Sequence, residues 1–351
     1  MDKQADVLII GGGLSGLYLA YLLQKQGYQP LVLEASARLG GRIQTVKGGL
    51  ETPLELGATW FSELHPKLLA LLAELGLRWF PQYAAGSTLF QTKSFEPVQQ
   101  FVVPESAAPS FRVVGGTQQL PDALAARLPA ERLLLQKRVV HVQDLGHAVE
   151  VVAEDGSRYE GGFAVVCTPP QLAVGVMQFE PALPAETTEL LGAVHTWMAG
   201  SVKFAVEYPR AFWRAQGLSG MVYSHAGIIT EMYDHTNFEA NRFGLTGFLG
   251  GGAASFEPAV RKELVLKQLV TLLGEEAGAP TTYLHKVWNE DSLVVGSPLI
   301  RYPHQFNGHP LLQRPYMGGK LYFCGTEAAT AHGGYMEGAV TAVQRLAEAL
   351  V

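Results

Sequence analysis

Gly11, Gly13 and Gly16 stand in a G-x-G-x-x-G pattern, and Glu34 follows about 18 residues after the last of them. Glycine at the first position permits a tight turn. At the second it lets backbone N–H groups approach a pyrophosphate at a helix N-terminus, and at the third it lets helix and strand pack closely. Ser15 lies inside the turn and Ala35 directly follows the acid. A carboxylate at Glu34 would accept hydrogen bonds from ribose hydroxyls and repel a 2′-phosphate. The chemistry implied is dinucleotide binding. A second turn follows, Arg38-Leu39-Gly40-Gly41-Arg42, in which Arg42 can reach a phosphate as a charge-assisted donor. Nicotinamide enzymes do not need this extra clamp.

These residues need elements to hold them, and the surrounding pattern supplies a β-α-β unit. Val7-Leu8-Ile9-Ile10 reads as a buried parallel strand, and the apolar spacing from Leu17 to Leu23 reads as a helix ending at Gly27. Leu31-Val32-Leu33 is a second strand that delivers Glu34. Further along, Leu68–Leu77 predicts a helix, and the Pro-, Gly- and Ser-rich stretch from Phe80 to Ser110 predicts short strands and loops. A helix is expected near Gln118–Arg127, and residues 133–166 alternate like a β-meander. Val202–Val206 and Met221–Tyr223 read as strands, Pro258–Leu273 as a helix, Leu321–Cys324 as a strand and Glu337–Leu350 as a closing helix. Cys167 and Cys324 each end an apolar run and read as buried strand cysteines, with no C-x-x-C pair.

GGGLSG, the run Glu34-Ala35 through Arg42, and Glu55-Leu56-Gly57-Ala58-Thr59-Trp60 together resemble the N-terminal part of the flavin-dependent monoamine oxidase family. Phe323-Cys324-Gly325-Thr326-Glu327 and Gly334-Tyr335-Met336-Glu337-Gly338 resemble that family's closing segment. The likeness is strong over about residues 4–61 and 320–351 and patchy between them. It implies FAD as cofactor, with Gly57, Ala58, Thr59, Gly325, Glu327, Tyr335 and Met336 added to its site. It also implies that the Val139 backbone meets the adenine, that Trp288 packs at the flavin ring, and that Lys203 sits near flavin N5 through a water. Tyr335 matches one tyrosine of a two-aromatic substrate cage. Where covalent relatives carry a cysteine, Ser297 stands, so noncovalent FAD is expected. Pro298 replaces the second cage tyrosine, so half the cage is missing or another aromatic such as Trp60, Trp197 or Tyr302 completes it.

The expected fold is α/β. A glutathione-reductase-like FAD domain would be built from residues 1–61, 113–180 and 290–351, and a smaller α+β substrate domain from 62–112 and 181–289. The activity implied by the resemblance is hydride transfer from an amine α-carbon to flavin N5, followed by imine hydrolysis and reoxidation by O2 to H2O2. Lys203 and Tyr335 would be the catalytic residues. An FAD-dependent oxidation or desaturation of a C–C bond and a noncatalytic flavoprotein are the alternatives. His225, Glu231, Asp234 and His235 form a polar group that reads as a solvated loop, with a substrate wall as the other reading. His332 is placed either in a loop or near the flavin.

With 48% hydrophobic and 17% charged residues, the composition excludes disorder, and a net charge of −6 argues against a nucleic-acid partner. No apolar stretch approaches the roughly 18 residues of a membrane span. The N-terminus MDKQADVLII has no basic leader region, so a cytoplasmic location is expected. Histidine spacing gives no metal site. The oligomeric state is open, and the 351-residue length calls for two domains or one large domain with an insertion.

Overall fold

A computed structural model describes residues 3–104, 109–291, 293 and 304–350. Ser297, Pro298 and Tyr302 lie outside the described residues. Two large sheets organise the chain. The first is laid down by Lys3–Ile10, which pairs in parallel with Pro30–Leu33 on one side and Arg158–Val166 on the other. Leu321–Phe323 pairs in parallel with the far half of Arg158–Val166, and Leu133–Leu134 with Pro30–Leu33. Val149–Ala153 and Val139–Asp144 extend the sheet antiparallel, with Gln178–Glu180 at its edge. Residues 133–134 are therefore not part of a meander. They run beside the second strand, whose Glu34 N–H donates to the Leu134 carbonyl.

Helix Leu14–Lys25 packs its buried leucines between this sheet and the closing helix Met336–Ala349. Its end is a Schellman motif, as Gly27 suggests. Gly27 has φ +93°, its N–H donates to the Gln24 carbonyl, and the Tyr28 N–H donates to that of Leu23. The other expected helices form at Pro66–Glu74, Gln119–Ala125 and Pro258–Leu273. Cys324 is buried as expected. Cys167 is only half-buried, because it lies one residue past its strand, where the backbone opens toward a cavity.

The second sheet has the order Thr282–Val287, Val202–Tyr208, Phe243–Leu249, Ile229–Asp234, Leu218–Ser224, Ser87–Gln91, Gln99–Val102. All its pairs are antiparallel except Leu218–Ser224 with Ser87–Gln91. Every residue of Val202–Tyr208 is buried, for two different reasons. Val202, Phe204 and Val206 pack against Val265 and Leu269 of helix Pro258–Leu273. On the opposite face, Ala205 packs with Leu54 and Leu56, so the segment Pro53–Glu55 covers the side on which Lys203 projects. The polar group around Asp234 is likewise not a solvated loop. Asp234 ends a strand and is fully buried, as is His235 after it; only His225 is exposed. The fold is α/β: a Rossmann-like domain with a mainly parallel sheet, joined to a smaller α+β unit.

Candidate functional site

The glycine turn opens onto a cavity of about 170 Å³ at the carboxyl ends of the parallel strands, where ligands of such sheets bind. Gly11 has φ +111°, and a Cβ on Gly16 would lie 1.9 Å from the Gly11 carbonyl oxygen, so only glycine fits there. Gly13 is the N-cap of helix Leu14–Lys25 and offers no side-chain cap, which leaves the helix N-terminus facing the cavity beside Ser15. Glu34 is buried; its carboxylate accepts from the Gly12 N–H at 2.6 Å and the Ser36 N–H at 2.8 Å. A carboxylate has about four lone-pair sites, so capacity for a ribose remains. Glu34 also borders a small cavity lined by Ala35 and Val139.

A third cavity, about 260 Å³, continues from the first; both are lined by Arg42, Ala58, Gly334, Tyr335 and Met336. Its walls are otherwise mostly apolar: Trp60, Trp197, Met198, Phe248 and Trp288 surround Gly57, Thr59 and Lys203. Arg42 bridges the two spaces. Its guanidinium is gripped bidentately by the buried Glu327 at 2.6 and 3.2 Å, a geometry that fixes its plane. Trp288 donates its indole N–H to the Leu56 carbonyl at 2.8 Å. Tyr335 is 43% exposed, lies 6.3 Å from Trp197 and stacks with His304 at 5.9 Å and 9°. His332 is exposed and meets the edge of His65 at 5.2 Å.

Lys203 is 2% exposed. Its ammonium donates to the Gly57 carbonyl at 2.8 Å and the Thr59 hydroxyl at 2.5 Å, and lies 4.8 Å over the Trp60 ring. Two of its three donors are thereby used. Burial lowers its pKa to about 8, against the opposing charge of Glu55. Burial in turn raises the Glu55 carboxyl, while Lys203 and the Thr117 N–H pull it back down. Behind this pair, burial lowers Arg112 to about 10. Arg112 donates to His235 Nδ1 at 2.9 Å, and His235 Nε2 faces the Pro53 carbonyl at 3.0 Å. These partners make His235 neutral, with the proton on Nε2. Burial, then Arg112, holds its pKa well below the usual histidine range.

Most of the expected residues thus converge on one cleft. Gly325 does not line its cavities; it precedes the short turn that carries Glu327, which itself sits behind Arg42. Thr168 and Phe248 line the cleft without having been singled out, and Arg38, named only as a flank of the second turn, lines it too. For Thr168 a signal existed: it directly follows FAVVC, at the same carboxyl edge as Gly11. Its hydroxyl is buried without a partner and borders both nucleotide-side cavities. That orphan group, the glycine cradle, the open helix N-terminus and Glu34 all suit a bound dinucleotide. Glu55 was quoted only as part of a motif, because its role depends on its partner across the fold. Among the described residues no group of three or more potential metal ligands occurs, and no helix is long and apolar enough to cross a membrane.

A Rossmann-type cradle running into an apolar, aromatic chamber defines a flavin-dependent oxidoreductase. A family model described as flavin containing amine oxidoreductase matches residues 14–108 and 92–351, and the chain belongs to that family, whose cofactor is FAD. It is 25% identical to the "Probable flavin-containing monoamine oxidase A" of Dictyostelium discoideum, over 97% of this chain and 96% of the relative. Its fold matches putrescine oxidase bound to putrescine at a TM-score of 0.86, with 22% identity over 100% of this chain and 99% of the other. Cyclohexylamine oxidase from Brevibacterium oxydans is also similar in structure, with 23% identity over 99% of both chains.

Proposed function

We propose that this chain is an amine oxidase that binds FAD noncovalently and uses O2 as electron acceptor. The observation that carries this reading is the continuity of the cleft. The nucleotide-side cavity and the apolar chamber share Arg42, Ala58, Tyr335 and Met336, so a cofactor laid along the first would present one end to the second. When bound, FAD supplies the acceptor for the two electrons and the hydrogen that leave the substrate α-carbon. The residues that would hold it are Gly11, Gly13, Ser15, Gly16, Glu34, Ala35 and Val139 at the nucleotide end. Arg42, Gly57, Ala58, Thr59, Trp288, Gly325, Glu327, Tyr335 and Met336 would serve the other end.

Tyr335 and Trp197 present aromatic faces to the chamber, and these apolar walls disfavour an ammonium and favour the neutral amine. Lys203 holds positive charge, or a donor N–H, in a dry wall where such a group acts far more strongly than in water. The two sheets are read as two domains, with residues 1–61, 113–180 and 290–351 binding FAD and 62–112 and 181–289 covering the chamber. The test is anaerobic mixing of the yellow holoprotein with a panel of amines and amino acids. Bleaching by an amine, then recovery with H2O2 on admitting air, is expected. Bleaching by no amine overturns the reading, and recovery only with an added dye would make the protein a dehydrogenase.

A further inference from the structure

Thr196 is a polar group on the chamber wall that the described residues leave unsatisfied. It is 3% exposed, it lines the chamber, and its hydroxyl has no hydrogen-bond partner among those residues. Its polar neighbours on the wall differ. The Thr59 hydroxyl accepts from Lys203 and donates to the Gly57 carbonyl at 3.0 Å. The Trp288 indole is taken by the Leu56 carbonyl and the Arg42 guanidinium by Glu327, while Ser201 is only half-buried. A buried hydroxyl without a partner bears the full desolvation penalty of the group, so it calls for something to complete it.

The backbone holds Thr196 at this wall. Its carbonyl accepts from the Ala199 N–H at 3.3 Å, closing a turn in which Met198 has φ +60°. The next side chain, Trp197, lies against Gly334, where a Cβ would come within 2.6 Å of the Trp197 Cβ. Thr196 lines the chamber and not the nucleotide-side cavity, so its hydroxyl belongs to the substrate end of the cleft. The chemistry there favours an acceptor. When the α-hydrogen leaves with its electron pair, the nitrogen lone pair moves into a C=N bond and the nitrogen becomes cationic. A donor aimed at that lone pair would oppose the step. A hydroxyl oxygen that accepts a substrate N–H leaves the lone pair free, and this hydrogen bond strengthens as charge grows on the nitrogen. A neutral tertiary amine has no N–H and would leave the hydroxyl orphaned, the situation in which a polar site discriminates best.

We infer that the Thr196 hydroxyl accepts an N–H of the reacting amine, and so orients it and selects primary and secondary amines over tertiary ones. This rests on the amine-oxidase reading and adds a specificity-determining residue to it. The test compares hexylamine, N-methylhexylamine and N,N-dimethylhexylamine, counting hexanal as product and expressing rates per concentration of neutral amine. Wild-type holoenzyme should prefer the two amines that carry an N–H. Thr196→Val, which keeps the volume and removes the hydroxyl, should lower the primary-to-tertiary ratio of kcat/KM about tenfold. The loss should fall mainly on the limiting rate of anaerobic flavin reduction with hexylamine, because the bond is strongest in the transition state. Thr196→Ser should keep the wild-type ratio, and Thr196→Ala should act as Thr196→Val does, which keeps the test usable if one variant folds poorly. Titration of apoprotein with FAD should give the wild-type affinity in all three. A primary-to-tertiary ratio unmoved by Thr196→Val and Thr196→Ala would overturn the inference and leave amine oxidation standing. The same unmoved ratio with weakened FAD binding would overturn it by giving the hydroxyl to the cofactor. Failure of every amine to reduce the flavin would overturn both readings.

Discussion

The two ends of the cleft solve the same problem, holding a polar group out of water, by opposite means. At the glycine end the contacts are backbone ones. A helix N-terminus faces the cavity, and Glu34 is held by the N–H groups of Gly12 and Ser36. At the aromatic end the polar group is a side chain, Lys203, sunk in a strand and balanced by Glu55 and two oxygen acceptors. The first end depends on shape, since added atoms have nowhere to go. The second depends on charge, since its size could be matched by an apolar residue. Steric changes should therefore do most damage at the glycines, and isosteric charge changes at the lysine.

The largest effect is expected from Gly16→Ala. Its Cβ would meet the Gly11 carbonyl oxygen at 1.9 Å, and the strand and helix must separate to admit it. Overpacking of this kind costs up to about 3 kcal/mol. The purified variant should be nearly colourless, with FAD affinity down about a hundredfold. A variant that retains wild-type flavin content would mean the turn is not the cofactor cradle.

Next comes Glu34→Ala, which removes the proposed ribose acceptor together with the group that orders the Gly12 N–H. FAD binding should weaken by about 1.5–3 kcal/mol, the scale of hydrogen bonds to a charged group. Titrating apoprotein with FAD and following flavin fluorescence measures it, and wild-type affinity would count against the assignment. Lys203→Met should leave FAD occupancy intact and slow flavin reduction or reoxidation at least tenfold, about 1.4 kcal/mol of barrier. Stopped-flow traces of the two half-reactions decide it. Unchanged rates in both would make the aromatic end indifferent to charge and dissolve the contrast.

The same contrast explains what could be read in the sequence. The glycine end was legible almost completely, because Gly11, Gly13, Gly16 and Glu34 act within one local β-α-β unit whose spacing is fixed by strand and helix lengths. Strand and helix periodicity placed Val202–Val206, which the structure extends to Tyr208, and Pro258–Leu273 for the same reason. The aromatic end was legible only in part. Lys203 came from a family likeness, and its pattern alone allowed a solvent-facing residue; its burial depends on Pro53–Glu55 arriving from far along the chain. Asp234 and His235 read as a polar loop because their partners Arg214 and Arg112 are brought to them by tertiary contacts. Polar residues in a strand carry no local sign of whether a partner will cover them.

A gradual effect, spread over the pH scale, tests the electrostatics of the lysine directly. Folding lowers the Lys203 pKa from 10.5 to about 8, so the folded state holds its proton less tightly than the unfolded chain. Below about pH 8 both states carry the proton, and the cost of burying the charge is fully present. Between about pH 8 and 10.5 the unfolded chain binds more protons, so stability rises with pH; above that both are neutral and the gain is complete. Lys203→Met abolishes this linkage, but it also strips Glu55 of its counter-charge and would move the titration of that carboxyl. The clean comparison is therefore Glu55→Gln against Glu55→Gln/Lys203→Met, by urea unfolding of holoprotein at a series of pH values. Removing Glu55 deletes the one charge that supports the ammonium, so the Lys203 pKa should fall further and the window should widen toward neutral pH. The difference in unfolding free energy between the two variants should climb in favour of the lysine as pH rises, by at most ~1.4 kcal/mol per pH unit. A flat difference across the window would mean that water reaches Lys203, and a falling one would mean that the fold stabilises its charge. Either result would end the claim that the aromatic end works through a desolvated side chain.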